Sequence, residues 1–263
     1  MNAILTAPLG EQEHLKEFFE ILNGQGRKQE FTEFSSLLSQ LNQMEKQYAE
    51  VLSELQTVKG QLSAIQDKGI KAVVMNGVLT LQEKVTEAKN QLEHIKTDIS
   101  NSIKESLSLI KENGISALNK AVDFIGLRKA LTDLRDNLTS SIAQTQKHIN
   151  KINAVGSEFH ALKEQTGNLG RVLTGKETKE LTQRNEDKGI LAVATKQLKH
   201  SKSMLERIRQ NVTHTITAVD RLEKAANKGN EKKPSVRAHL KEKSQKAPAP
   251  KSPVPQKKQE HSL

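Results

Sequence analysis

The residues that could do chemistry in this chain are few and scattered. Gly170-Arg-Val-Leu-Thr-Gly175-Lys176 reproduces the first seven positions of the phosphate-cradling loop G-x-x-x-x-G-K. That loop needs Ser or Thr next, because the hydroxyl holds a magnesium ion, and here the eighth residue is Glu177. It also needs a buried β-strand before it, and none is evident, so the stretch reads as a loop joining helices. Eight histidines are present, but none are four apart on a helix and none sits in an H-E-x-x-H pattern. His94, His148, His200 and His214 read as residues on or beside polar helix faces. Glu186 and Asp187 read as acids that complement a helix N-terminus. No G-x-S-x-G elbow occurs, and the absence of cysteine excludes disulfides, thiol chemistry and Cys-based zinc sites. No catalytic, cofactor-binding or metal-ligating residue is assigned, and the expectation is a protein that is not an enzyme.

The net charge of +10 is unevenly placed. Residues 227–263 hold ten Lys or Arg against three Glu, a net of +7, while the preceding 226 residues carry only +3. Lys232, Lys233, Arg237, Lys241, Lys243 and Lys246 could neutralise phosphates and release counterions, which gives sequence-blind, salt-dependent binding. No aromatic residue follows Phe159, so base stacking is not on offer. The alternative is a solvated tail that only keeps the protein soluble. Five of the six prolines lie at or beyond Pro234, and a segment of Lys, Gln, Ser, Ala and Pro cannot bury enough apolar surface to offset chain entropy. The tail is expected to be disordered, with a short helix at residues 234–243 in which Pro234 takes the first position and Val236 and Leu240 share a face.

The elements that would carry such a tail announce themselves by spacing. Phe34, Leu37, Leu41, Met44, Tyr48, Val51, Leu55, Val58, Leu62 and Ile65 step by three and four without a miss, a heptad seam that demands a packed helix. Leu38 and Leu52 widen the stripe, so this helix wants neighbours on more than one side. Val78, Leu81, Val85, Ala88, Leu92, Ile95 and Ile99 continue in heptads, and Ile103, Leu107 and Ile110 shift the phase by one residue. A final seam reads Leu198, Leu205, Ile208, Val212, Thr215, Val219, Leu222 and Ala226. No proline occurs between Pro8 and Pro234, which suits long unbroken helices.

These signals predict a short helix over residues 11–22 and long helices over 30–66, from about 70 to 113, from 127 to about 156, and over 188–226. A break or kink is expected at Asp67-Lys68-Gly69, a turn at Asn113-Gly114, a chain-reversing loop across residues 167–175, and a short apolar helix at residues 115–127. Residues 70–78 and 115–127 could also dip into a membrane interface, a minor reading beside ordinary helix packing. The longest uncharged run, residues 72–82, is about half the ~20 residues a bilayer span requires. Without a basic leader or an apolar signal stretch, a cytoplasmic protein is expected.

From Asp67 onward the order of segments resembles an uncharacterised helical family, a domain of unknown function carried on conjugative and other mobile elements of anaerobic Gram-positive bacteria. Four pieces carry the likeness: residues 111–118 (KENGISAL) with Phe124 and Leu127; Glu158-Phe159-His160; residues 168–177 (NLGRVLTGKE); and Lys233-Pro234-Ser235-Val236. The resemblance implies an accessory protein of a mobile element, near its transfer or replication functions, and supplies no catalytic residues.

The expected fold is all-α: an elongated antiparallel helical bundle or coiled coil with a disordered basic C-terminal tail. Its parts are a short N-terminal helix and Gly-rich turn (residues 1–29), a long-helix body (30–226) and the tail (227–263). The expected function is a non-catalytic interaction or scaffold protein with a basic docking tail. A sequence-nonspecific nucleic-acid-binding factor is the alternative, and a membrane-active bundle the minor one. Isolated helices are marginal in water, so the seams must be buried. Two seams at opposite ends of the chain lead us to expect self-association through a coiled coil, besides an unknown protein partner.

Overall fold

The computed structural model describes residues 12–64, 67–114, 124–185 and 189–228. Five helices account for most of them: α1 (Glu13–Gly24), α2 (Lys28–Gln61, extended by a 3-10 turn at Leu62–Ala64), α3 (Lys68–Asn113), α4 (Phe124–Leu173) and α5 (Ile190–Lys228). Among the described residues there is no strand. The all-α expectation holds.

α1 is amphipathic, burying Leu15, Phe18 and Leu22. It ends in a Schellman turn, where the Arg27 amide donates to the Leu22 carbonyl (2.8 Å) and the Gly26 amide to Asn23 (3.1 Å). Gly26 supplies the left-handed backbone this turn needs, at φ 70°. The reversal puts α1 back on the start of α2, with Phe18 edge-on to Phe34 at 5.1 Å and Phe19 edge-on to Phe31 at 5.2 Å.

At the far end of α2 the expected break at Asp67 is a full reversal. The Asp67 carboxylate accepts from the Ile70 amide at 2.8 Å and so caps the N-terminus of α3. α3 runs unbroken through the phase shift at Ile103, and Ile103, Leu107 and Ile110 are all buried.

α2 to α5 form an antiparallel four-helix bundle closed between its first and last members. Cross-helix pairs fix the order: Glu45 with Lys96 (α2–α3), Gln91 with Asn137 (α3–α4), Asn153 with Thr195 (α4–α5), and Glu54 with His200 (α5–α2). All of the α2 seam from Phe34 to Val58, and Leu62, is buried; Ile65 lies outside the described residues. Leu198, Leu205, Ile208, Val212, Thr215, Val219 and Leu222 of α5 are buried against it. The two seams therefore cover each other within one chain, and neither requires a second copy. α2 also meets α1 and α3, as its widened stripe demanded, with Leu38 buried.

Polar side chains set the register of the α2–α5 pairing. Thr215 Oγ1 lies 2.7 Å from Gln40 Oε1, and Asn211 Nδ2 donates to Gln47 Oε1 at 3.1 Å. A one-turn slip would break both pairs and leave the buried Thr215 hydroxyl only its bond to the Asn211 carbonyl of its own helix.

Two boundaries differ from the sequence expectation. α4 does not stop near Gly156 but continues to Leu173, with Gly167 and Gly170 inside it. Glycine in a helix costs only about 1 kcal/mol relative to alanine, too little to break a helix that is otherwise supported. The reversal comes instead at Thr174–Gly175, a second Schellman turn with Gly175 at φ 71°. The final helix begins at Ile190, after Gly189 at φ 90°. The expected short helix at residues 115–127 lies outside the described residues up to residue 123, and α4 begins at Phe124.

Candidate functional site: a projecting arm and a basic tail

The phosphate-loop lookalike is a helix C-terminus. Residues 170–173 form the last turn of α4, and the amides that would cradle a phosphate are already spent. Gly175 N–H donates to the Val172 carbonyl at 3.0 Å and Lys176 N–H to Arg171 at 2.8 Å. Phosphates favour helix N-termini, where free amides and the positive end of the dipole point outward; this end presents carbonyls. The motif match is sequence coincidence on a turn.

Among the described residues the histidines lie apart from one another. His94, His200 and His214 are exposed on helix faces, with His200 Nε2 3.1 Å from Glu54. His148 is half-buried where α4 passes close to Gly77 of α3, and burial followed by the nearby Lys151 charge lowers its pKa. Among the described residues no three His, Asp or Glu side chains converge as a metal site would require. Nor is any helix among them long and apolar enough to cross a membrane.

The most distinctive surface is one the sequence reading missed. The Gly77–His148 and Asn153–Thr195 pairings put the first residues of both α3 and α5 level with about Glu158 of α4. Residues 159–173 of α4 project beyond the bundle as an arm about 22 Å long. Residues 176–185 then run back along the arm as a strap without regular secondary structure.

The strap is tied down residue by residue. Arg171 Nε donates to the Glu177 carbonyl (2.7 Å), and Asn168 pairs with the backbone of Lys179 twice, its Nδ2 donating at 2.7 Å and its Oδ1 accepting at 2.8 Å. Glu164 accepts from the Thr182 amide (2.7 Å) and hydroxyl, bonds that hold its carboxyl below the usual carboxylate range. Arg184 reaches the Asn153 carbonyl and lies against Gly156, where a Cβ would collide with its guanidinium. With His160 Nε2 3.3 Å from the Thr182 hydroxyl, these anchors, at positions 153, 156, 160, 164, 168 and 171, follow one face of the helix. The other face keeps Phe159, Leu162, Leu169 and Leu173 exposed.

Val155, Phe159, Leu162, Thr166, Leu169 and Leu173 repeat four, three, four, three, four, a heptad signal present in the sequence but masked by its glycines. The strap had no such signal, because its hold on α4 depends on side-chain to backbone bonds that no periodicity announces.

The proposed docking residues Lys232, Lys233, Pro234, Val236, Arg237, Leu240, Lys241, Lys243 and Lys246 lie outside the described residues. Their point of departure is described. α5 is anchored near its end by Arg128 to Asp220 (2.6 Å) and Glu223, and by Arg221 to Glu33 (3.6 Å). α5 thus finishes at the end of the bundle opposite the arm.

A family model described as a family of unknown function, DUF6674, matches residues 11–262. The chain belongs to this family. The match takes in bundle, arm, strap and tail together, and it assigns no activity to any of them. No curated protein and no solved structure matches the chain.

Proposed function

We propose that this chain is a non-catalytic interaction protein whose rigid four-helix body holds a basic docking tail. The reading is supported chiefly by the coincidence of two boundaries. α5 is ion-paired to the body as far as Glu223 and stays helical to Lys228, and that is where the composition turns to Lys, Pro and Ser. A docking segment joined to a rigid body raises the effective concentration of any partner it captures. We further propose, on the sequence resemblance alone, that the chain serves as an accessory protein of a mobile element, near its transfer or replication functions.

A second reading is favoured by the charge. A tail of net +7 on a nearly neutral body suits a nucleic-acid backbone. Six tail cations on phosphates would weaken binding about a thousandfold between 50 and 200 mM salt. One experiment separates the two: recover partners with the full chain and with a chain ending at Lys228, each with and without nuclease. Partners that survive nuclease and vanish with the tail support protein docking. Partners lost on nuclease treatment, with steeply salt-dependent DNA binding, support the second reading. Interactions unchanged by removing the tail overturn both.

A further inference from the structure

We propose that the arm of α4 is a self-complementary surface that pairs antiparallel with the arm of a second copy of this chain. The inference stands apart from whatever the tail binds.

Its first support is the division of the arm into two faces. The strap occupies the face of His160, Glu164, Asn168 and Arg171, leaving the heptad face uncovered. On that face Phe159 is 42 % exposed, Leu162 60 %, Leu169 61 % and Leu173 78 %. The seam positions themselves carry no charge. A heptad seam of this kind is the surface a helix presents to another helix.

The second support is area. These four side chains offer roughly 500 Å² of exposed surface per copy, so a symmetric pair would bury on the order of 1,000 Å², about the least a specific interface needs. One arm alone could not bury this surface against anything in its own described body, because the bundle ends at the level of Glu158.

The geometry selects the antiparallel arrangement. With the two-fold axis beside residue 164, Phe159 faces Leu169 of the second copy, Leu162 faces its Thr166, and Val155 faces its Leu173. The tip of each arm then enters the groove at the foot of the other, which is lined by Ile70, Val155, Phe159 and Leu162. The bodies lie at opposite ends of the paired arms. A parallel pair would instead drive two bundles into one another, since α3 and α5 both begin where the arm leaves.

The full chain at increasing concentration, followed by sedimentation equilibrium, tests this. A monomer–dimer equilibrium in the micromolar range is expected, weakened more than tenfold by Leu169→Glu, whose exposed site leaves folding of the body unaffected. Cross-linking tests the register without relying on that variant, because the chain has no native cysteine. Phe159→Cys copies mixed with Leu169→Cys copies should join through a short bis-maleimide, and neither alone should do so. Cross-linking of each variant with itself would mean a parallel pair and refute the arrangement. A chain that stays monomeric at 100-fold above the micromolar range would overturn the proposal outright. So would a chain that dimerises only after residues 229–263 are removed, which would put the tail on the arm instead. Dimerisation unchanged by Leu169→Glu would place the interface elsewhere.

Discussion

Tyr48→Phe should make this protein more stable. Tyr48 is the only tyrosine in the chain and sits midway along the α2 seam with its ring fully buried. Its hydroxyl has no hydrogen-bond partner among the described residues. Burial without a partner costs a hydroxyl about 1–3 kcal/mol, and here no native bond is lost when it is removed. The ring stays in place, so the opposing loss is the small void left by one oxygen, at about 24 cal/mol per Å³ only a few tenths of a kcal/mol. The net gain is about 1 kcal/mol, or a rise in Tm of about 2–4 °C for a body of this size.

The same desolvation pushes the Tyr48 phenol far above its ordinary value. The sign follows directly. The folded state holds the proton more tightly than the unfolded state, so the stability tied to this group is complete below pH ~10 and drains away as the pH rises above it. The advantage of Phe should therefore widen above pH 10. Because the chain lacks tryptophan, the phenolate absorbance of the wild type reports this one residue and should appear only with unfolding. Urea melts followed by circular dichroism at pH 7 and above pH 10 measure both effects. A less stable Phe variant, or a phenol that ionises near pH 10 in the folded protein, would refute the reasoning.

Two further perturbations probe the body and the strap. Burial raises the Glu45 carboxyl, but the hydrogen bond and charge of Lys96 at 2.6 Å outweigh it, and its pKa falls below the ordinary value. The pair therefore stabilises above the normal carboxylate pKa and is lost as the pH drops through the folded one. Glu45→Gln should cost about 1 kcal/mol at pH 7, since Glu45 is partly solvated and Lys96 keeps Glu93 at 3.4 Å, and almost nothing at pH 3. An equal cost in urea melts at both pH values would contradict this. Asn168→Ala removes both bonds to Lys179 and should speed proteolysis within residues 176–185, while changing the melting of the bundle by less than about 0.5 kcal/mol. Unchanged cleavage would mean the strap is held by its other anchors.

The spacing of Phe34 to Val58 and of Leu198 to Leu222 determined that these segments are helices and which face of each is buried, because a side-chain period of three and four is a local property of the chain. Asp67 marked a break and Gly26 the end of the first helix for the same reason: a cap or a left-handed residue acts on its immediate neighbours. What the seams pack against was decided only by the tertiary structure. A heptad face fits any other heptad face, so the sequence left open whether α2 would meet α5 or another copy, and polar pairs such as Gln40 with Thr215 acquire meaning only once the two helices lie side by side. The arm shows the same division. The heptad from Val155 to Leu173 was written in the sequence, yet Gly167 and Gly170 argued for a loop. Their small cost was outweighed by contacts eleven and eighteen residues away, Asn168 with Lys179 and Glu164 with Thr182. Local propensity is worth about 1 kcal/mol per residue, and several long-range hydrogen bonds together exceed it.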